Sequence, residues 1–410
     1  MAPVEMSRSV FPRSLNIGAH AAFVPIGIVT VLLGPLLPIL SARWFLDYSQ
    51  AGSLFTAQFL GSTAGVLVSG VMVSRWGFRL AINAGLLAMA VGVGTLPFSS
   101  PSLGIVCIFC YGVGLGFSIP AINLFVAAVH PGRRGAALSL LNFSWSVGAV
   151  ACPFVVAAAA KADKIQLFLL MLAGFLILVL LGIATLPSSV VEPSTVQAST
   201  PSLETASGGG EERPETSAVP WKGRSLIVLA ALFFLYVGVE NGFGGWIASY
   251  AKSLEARSQT LPVMTPSFFY AALMVGRWLA TLLLRKTDEI KTARASLLIA
   301  CIGMAGLVLS RTMSLVVASV SVAGFGLAAV YPLTISRLSQ EFGPATARVG
   351  SIMFTMANFG GASLPWVVGY ASHQFNDLRV GLAVPLAGTV LMYALYRRSP
   401  DSALAPGHST

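Results

Sequence analysis

Long apolar stretches alternate with short polar connections along nearly the whole chain. We count twelve such stretches, each near the 20 residues that an α-helix needs to cross about 30 Å of hydrocarbon. They cover roughly 15–40, 49–73, 80–98, 102–129, 135–160, 165–187, 225–250, 264–285, 293–310, 313–337, 346–371 and 380–397. The pattern predicts an all-α polytopic membrane protein with twelve transmembrane helices.

Composition agrees with a membrane protein. Hydrophobic residues make up 55% of the 410 residues and charged residues only 10%, whereas soluble domains carry roughly 25% charged residues. The net charge of +10 is spread over the connections between spans, so we expect a lipid bilayer and no nucleic acid as partner. Cys107 and Cys110 form a CxxC inside an apolar span with no acidic or His neighbours, which predicts packing rather than a metal site. We expect no cofactor.

Basic residues favour one set of connections. That set holds Arg75, Arg79, Arg133, Arg134, Arg213, Lys222, Arg224, Arg285, Lys286, Lys291, Arg294, Arg337 and Arg348, together with the arginines near both termini. The opposite set holds Arg43, Lys161, Lys164, Lys252, Arg257, Arg311 and Arg379. The bias predicts cytoplasmic N- and C-termini in a plasma (bacterial inner) membrane. The first apolar run is too long for a signal-peptide core, so we expect it to be retained.

A change of composition divides the chain in two. Residues 188–222 are rich in Ser, Thr, Pro and Glu and poor in large apolar residues, which predicts a disordered cytoplasmic linker. It separates an N-terminal six-helix bundle, 1–187, from a C-terminal six-helix bundle with a short cytoplasmic tail, 223–410.

The two halves are related by a shift of 212 residues. Glycines and prolines coincide without a gap: Gly112 with Gly324, Gly114 with Gly326, Pro120 with Pro332, Gly148 with Gly360 and Pro153 with Pro365. These residues mark special backbone and close helix approach, so their coincidence is more informative than apolar matches. Same-sense repeats of six spans are the architecture of one large class of transporters.

The connection between spans 2 and 3 carries a recognisable motif. Its sequence, GVMVSRWGFR, resembles the loop signature of the major facilitator superfamily, G-x-x-x-D-R-x-G-x-R, at Gly70, Arg75, Gly77 and Arg79. Ser74 stands where the family usually has Asp. The resemblance implies two pseudo-symmetric six-helix bundles (the MFS fold), with this loop holding their cytoplasmic sides together in the outward-facing state. Without the Asp we expect that interaction to be weaker.

Three further segments suggest a branch of that superfamily. LYVGVENGFGGWIASY, NFSWSVGAVACP and GFGLAAVYPL look like the fucose/galactose/glucose permeases and the related sodium-dependent glucose transporters. The fucose proton symporters use acidic residues in spans 1 and 4; here span 1 has none, and span 4 offers Asn123. Glu240 is the only acid deep in the membrane, so any proton coupling must run through it.

Two charges stand at similar depth in adjacent spans. Glu240 lies in span 7 and Arg277 in span 8, and a charge inside a membrane is costly unless it is paired. We expect the two to pair when the site is empty and Arg277 to be freed when Glu240 takes up a proton. The alternative is that Arg277 meets an anionic solute directly, which would make the protein a drug or organic-anion exporter.

Transporters of this architecture bind solute near the membrane midplane, between the halves. Sugar recognition uses amide and carboxylate groups for the hydroxyls and an aromatic face for the apolar side of the ring. The predicted binding residues are Gln58, Asn123, Asn142, Trp145, Glu240, Asn241, Trp246, Asn358 and Trp366. Asn142 and Trp145, three residues apart, share one helix face.

These observations favour a secondary active transporter that moves a small polar solute, most simply a hexose-type sugar, by alternating access. The coupling ion would be H⁺ or Na⁺, and we expect the chain to act as a monomer. The sequence contains no phosphate-binding loop and no HExxH zinc motif, so we expect neither ATP drive nor an intramembrane enzyme. A receptor or scaffold without flux stays a third possibility, which only a transport measurement excludes.

Overall fold

The computed structural model describes residues 13–130, 134–185, 223–255, 258, 260–283, 287–342 and 346–397. They form thirteen α-helices within these ranges: α1 Arg13–Val31, α2 Leu33–Trp44, α3 Tyr48–Thr95, α4 Pro101–Val129, α5 Arg134–Lys161, α6 Ile165–Ala184, α7 Arg224–Leu254, α8 Leu261–Leu283, α9 Glu289–Leu309, α10 Met313–Leu327, α11 Val330–Phe342, α12 Thr346–Phe375 and α13 Leu378–Arg397. A short 3-10 helix, Leu96–Phe98, follows α3. The predicted linker 188–222 lies outside the described residues.

The all-α prediction is confirmed, and each of the twelve predicted spans coincides with helix in the described chain. Span 1 is divided between α1 and α2, which are bent by 44°, and span 10 between α10 and α11. Within the described residues, eight helical segments are long and apolar enough to cross a membrane, or nine if α1 and α2 count as one. That number is lower than twelve partly because the segment Tyr48–Phe98 contains two predicted spans.

Gly77 makes the turn between predicted spans 2 and 3. The helix α3 runs through both spans, and Gly77 interrupts its helical backbone with φ 81° and ψ 171°. A side chain is strained at this positive φ, so glycine is required there. Two residues later, the Arg79 guanidinium donates a hydrogen bond to the carbonyl of Ala184 at the end of α6. The motif therefore includes a turn that only glycine makes easily and an arginine that ties the turn to its own bundle.

The helices form two bundles, α1–α6 and α7–α13, with equivalent packing. A side chain at Gly148 in α5 would collide with the carbonyl of Val24 in α1. A side chain at Gly360 in α12 would collide in the same way with the carbonyl of Phe234 in α7. Repeat-related glycines thus permit equivalent close helix contacts in each bundle. The coincidence seen in the sequence reflects a repeated packing requirement.

The bundles contact each other at one of their two ends. We call the end at which α1 begins and α13 ends the terminal side, and the opposite end the distal side. On the distal side the bundles touch: α2 packs on α7 and α8, α3 on α12, and α5 on α8. Two hydroxyl groups cross between bundles, from Thr56 to the carbonyl of Ala362 at 2.7 Å and from Ser267 to the carbonyl of Val150 at 2.9 Å. We call this contact region the distal seal.

The terminal side is arranged differently. There α1 packs mainly on α4, α5 and α6 of its own bundle, whereas α2, its distal continuation, also packs on the other bundle. Two hydroxyl contacts, three ring contacts and one cation–π contact join the bundles, and these six lie at or distal to the level of Trp145 and Arg277. These contacts close the bundles against each other on the distal side.

Candidate solute-binding site

The two membrane charges face each other between α7 and α8. A nitrogen of the Arg277 guanidinium lies 3.7 Å from a carboxylate oxygen of Glu240. The predicted pair is present, but this separation is longer than a hydrogen bond. The side chains retain 25% (Arg277) and 13% (Glu240) of their exposure. Because the distal side is closed, that accessible surface faces a space that opens toward the terminal side.

Arg277 also contacts the other bundle. Its guanidinium carbon lies 5.9 Å from the ring centre of Trp145 in α5, within the range of a cation–π contact. Arg277 therefore stands between a carboxylate of its own bundle and an aromatic face of the opposite one. A solute that entered between the bundles at this level would meet Arg277.

A chain of hydrogen bonds within the N-terminal bundle positions Trp145. Its indole nitrogen donates to the Thr30 hydroxyl at 3.3 Å. The Gln58 amide donates to the Thr30 carbonyl at 3.0 Å and accepts from the Tyr111 hydroxyl at 3.1 Å. Gln58 is only 3% exposed, so in this conformation its side chain supports Trp145 instead of lining the open space.

Tyrosines surround the ion pair, and the sequence analysis missed them. The rings of Tyr236 and Tyr331 are stacked with centres 5.0 Å apart. The Tyr236 hydroxyl interacts electrostatically with both Glu240 and Arg277, yet it forms no hydrogen bond of acceptable distance and angle. Tyr236 precedes Glu240 by four residues, so it lies on the same helix face. That spacing was the signal available in the sequence.

The predicted asparagines behave in two ways. Asn123, Asn142 and Asn241 each donate from the side-chain amide to the carbonyl four residues earlier, at 2.8, 2.9 and 2.8 Å. Their amide oxygens remain available as acceptors. Asn358 is half-buried and makes no side-chain hydrogen bond within the described chain. Asn123 lies six residues from Val129, the end of α4, so it is nearer the terminal side than the midplane.

Trp246 belongs to the distal seal in this conformation. It is 1% exposed, and its indole nitrogen donates to the carbonyl of Pro365 at 3.0 Å. Its ring packs against Tyr48 and Phe55 of the other bundle, with centres 6.2 and 6.4 Å apart. A solute beside Glu240 could reach Trp246 only after these contacts separate.

Trp366 lies on another face of the molecule. Its ring stacks on Tyr370 with centres 5.4 Å apart and is 39% exposed. It lines a groove of about 720 Å³ between α3, α4 and α12 with Leu60, Val106 and Phe109. This groove opens beside the distal seal, and no described contact joins Trp366 to the ion pair.

A sequence comparison decides the family. The model of the Major Facilitator Superfamily matches residues 19–402, nearly the whole chain. The chain belongs to the Major Facilitator Superfamily. It is a multi-pass membrane transporter and not an enzyme, as both the sequence and its motif predict.

Comparison with individual proteins shows which branch of the superfamily this chain resembles. The chain is 25% identical to a glucose/galactose transporter of Brucella abortus biovar 1 (strain 9-941), over 84% of each sequence. It is 21% identical to sodium-dependent glucose transporter 1A of Mus musculus, over 92% of this chain and 94% of that one. The crystal structure of a D-xylose–proton symporter superposes with a TM-score of 0.73 at 16% identity, over 94% of this chain and 97% of the other. The expected likeness to the sugar-permease branch is thereby confirmed.

The superfamily loop lies on the terminal side. Arg75 is exposed, and Arg79 is half-buried. A side chain at Gly70 would meet no atom within 4 Å. Of the motif residues, Gly77 and Arg79 thus have structural roles in this conformation, while Gly70 and Arg75 face open space. Their predicted contribution to closing the terminal side stays a prediction.

Around Arg277 the site combines four kinds of chemistry. Glu240 accepts hydrogen bonds, Arg277 donates them, Trp145 offers an apolar face, and Tyr236 carries a hydroxyl. Such a set suits a ring that is apolar on its faces and carries hydroxyls on its edge. Within the described residues, no group of three or more His, Cys, Asp or Glu side chains could hold a metal ion.

Proposed function

We propose that the protein is a secondary active transporter for a hexose-type sugar. The observation that carries the proposal is the position of Trp145 opposite the Glu240–Arg277 pair, with one bundle supplying the aromatic face and the other the charges. A sugar held there would bridge the bundles at the level where the distal seal ends. The likeness to glucose and galactose transporters supports the same solute class.

Alternating access would expose this site to one side of the membrane at a time. The basic bias of the terminal-side connections supports a cytoplasmic location for that side. The described conformation would then face inward, in a plasma or bacterial inner membrane. The sugar would be taken up from the distal side after the seal opens.

Proton coupling would act through the ion pair. A proton taken up by Glu240 removes the charge that holds Arg277, so the guanidinium becomes free to move toward Trp145 or the solute. The 3.7 Å separation makes this exchange inexpensive, because no direct hydrogen bond has to break. Sodium is the competing coupling ion, and the test below separates the two.

The decisive experiment measures uptake of labelled glucose, galactose and fucose into proteoliposomes. An inward proton gradient at equal sodium on both sides should stimulate uptake, and Glu240→Gln should abolish the stimulation. Glu341→Gln is a matched control, because Glu341 pairs with Arg337 at 2.6 Å in α11, outside the site. Stimulation by sodium alone would assign sodium as the coupling ion. Absence of uptake for every sugar would refute the solute class.

A second candidate is transport of an organic anion. The observation in its favour is that Arg277 keeps a quarter of its side chain accessible and is held loosely by Glu240. An anion could then bind Arg277 directly. Saturable uptake of a labelled monocarboxylate that competes with sugar in the unsubstituted protein and is lost in Arg277→Gln would favour this reading. Sugar uptake that is unaffected by such anions would exclude it.

A further inference from the structure

The hydroxyl of Tyr236 is unusual among the polar groups of the site. Tyr236 is 1% exposed, and its oxygen has no hydrogen-bond partner of acceptable geometry. A buried hydroxyl without a partner is costly, so such groups are rare in native proteins and call for an explanation. The function proposed above uses Glu240, Arg277 and Trp145 but gives this hydroxyl no role.

Several groups face Glu240. Arg277 and Tyr270 approach from α8, Tyr331 from α11, and Tyr236 from the helix of Glu240 itself. Of the three phenols, only Tyr236 has an oxygen that is both buried and without a hydrogen bond among the described residues. Stacking on Tyr331 at an interplanar angle of 28° restricts where its ring can go. The hydroxyl is therefore held beside the charges and not committed to another acceptor.

We propose that Tyr236 is a positioning residue, whose hydroxyl donates a hydrogen bond to the Glu240 carboxylate when Arg277 leaves it for the solute or for Trp145. The inference rests on the function proposed above. When Arg277 moves away, Glu240 would otherwise be an enclosed carboxylate with no donor, which is strongly unfavourable. A phenol that already faces the carboxylate needs only a small rotation to replace the guanidinium. Departure of Arg277 and protonation of Glu240 favour each other, and the hydrogen bond from Tyr236 would stabilise the ionised carboxylate in the state that lacks Arg277.

Tyr236→Phe tests this role because it keeps the ring stacked on Tyr331 and removes only the oxygen. Loss of a donor to the charged form favours protonation. We expect the pH midpoint of proton-driven sugar uptake to move upward by about one unit, a tenfold change in proton concentration. The KM for sugar should change much less, because the hydroxyl is buried and, in this proposal, bonds to Glu240 and not to the solute. A large rise in KM with an unchanged pH midpoint would overturn the proposal in favour of direct solute contact.

A second measurement does not depend on transport. Because Arg277 pairs with Glu240 in the resting protein, this measurement uses protein that carries Arg277→Gln, in which the carboxylate has lost its counter-charge. Its unfolding temperature is followed at about pH 5 and about pH 8, alone and with Tyr236→Phe, Glu240→Gln or both added. A hydrogen bond to the carboxylate stabilises the protein only where the carboxylate is ionised. Tyr236→Phe should therefore lower the unfolding temperature more at the higher pH, and this difference should vanish in the Glu240→Gln background.

Tyr396→Phe is the matched control, since Tyr396 is a buried tyrosine of the same bundle whose hydroxyl already bonds to Thr334 at 2.8 Å. Its effect should not depend on Glu240. A loss in Tyr236→Phe that is equal at both pH values, or equal with Gln at position 240, would overturn the proposal. If Tyr236→Phe does not fold, Tyr331→Leu, which removes the stacking partner, should give the same Glu240-dependent loss. Failure of sugar uptake in the wild type would refute the solute class and leave this unfolding test valid.

Discussion

The distal and terminal sides of the molecule use glycine in opposite ways. On the distal side, a side chain at Gly245 would collide with the ring of Phe55, and one at Gly369 with the carbonyl of Tyr48. Both contacts join the two bundles. On the terminal side, side chains at Gly18 and Gly70 would meet no atom within 4 Å. Of these four glycines, only the two distal ones pack between the bundles in this conformation.

The difference indicates what alternating access requires of the sequence. A transporter whose bundles rock about a central site needs close backbone approach on whichever side is shut. The distal glycines meet that requirement in the conformation described. The open space at Gly70 is expected of a residue whose close contact forms only when the terminal side shuts.

Removing Arg277 should have the largest effect, because it lies where the closed half meets the open half. Arg277→Gln leaves Glu240 without its counter-charge and breaks the contact with Trp145. We expect uptake to fall by about 100-fold or more. The free energy of unfolding should fall by about 1–3 kcal/mol, which is less than for a fully buried pair because both side chains are partly accessible. Uptake assays and denaturant unfolding measure the two effects. Arg337→Gln, at the other ion pair of the described residues, is the control.

A side chain at a distal glycine should force the closed half open. Gly245→Val would collide with the Phe55 ring, and overpacking of this kind costs about 1–3 kcal/mol. We expect the distal seal to open more often, so that a cysteine introduced at Thr56 is labelled several-fold faster by a membrane-impermeant thiol reagent in a background without the four native cysteines. Gly174→Val, where the added side chain would start in open space, should leave the labelling unchanged. Equal labelling in both variants would contradict the role of the seal.

The same substitution on the terminal side should separate stability from transport. Gly70→Val meets no neighbour here, so we expect unfolding to change by less than about 1 kcal/mol, the propensity difference in a helix. Uptake should nevertheless fall by about tenfold, because the terminal side could no longer close fully. The measurement is the uptake rate divided by the amount of folded protein, which separates a loss of transport from a loss of stability. Normal uptake would show that Gly70 has no role in either conformation.

Weakening the support of Trp145 should give the smallest effect. Thr30→Val removes the hydroxyl that accepts the indole N–H at 3.3 Å and keeps a similar shape. A hydrogen bond of this kind is worth about 1 kcal/mol, so we expect the KM for sugar to rise by about fivefold with little change in the maximal rate. Thr63→Val is a control, since its hydroxyl bonds only to the carbonyl of Phe59 in its own helix.

Much of the fold could be read from the sequence, because hydropathy sets where helices cross a membrane and glycine marks where they touch. The Glu240–Arg277 pair was predictable for a similar reason, because both residues lie at a similar depth in the membrane on adjacent spans. Position along an apolar span indicates how deep a residue lies in the membrane, but it does not indicate which way the side chain points. Gln58 and Trp246 have suitable depth but point into protein contacts, which an apolar helix without a polar stripe does not reveal.

Other parts of the site are hardly marked in the sequence; for Tyr236 the mark is its spacing of four residues from Glu240. Thr30 and Tyr236 stand in apolar runs, where a hydroxyl or a phenol is unremarkable until its neighbours are known. Their roles come from contacts between helices that are distant along the chain, such as Trp145 with Thr30 and Tyr331 with Tyr236. Such pairings depend on how helices rotate against one another, and packing of the whole bundle decides that.

The polar part of the distal seal has a consequence for speed. The two hydroxyl groups that cross between bundles donate to backbone carbonyls, and the ion pairs Glu240–Arg277 and Arg337–Glu341 both lie within the C-terminal bundle. A neutral hydrogen bond contributes only about 0.5–1.5 kcal/mol net when water can replace it. Separating these two contacts therefore raises a much lower barrier than breaking an ionic lock would.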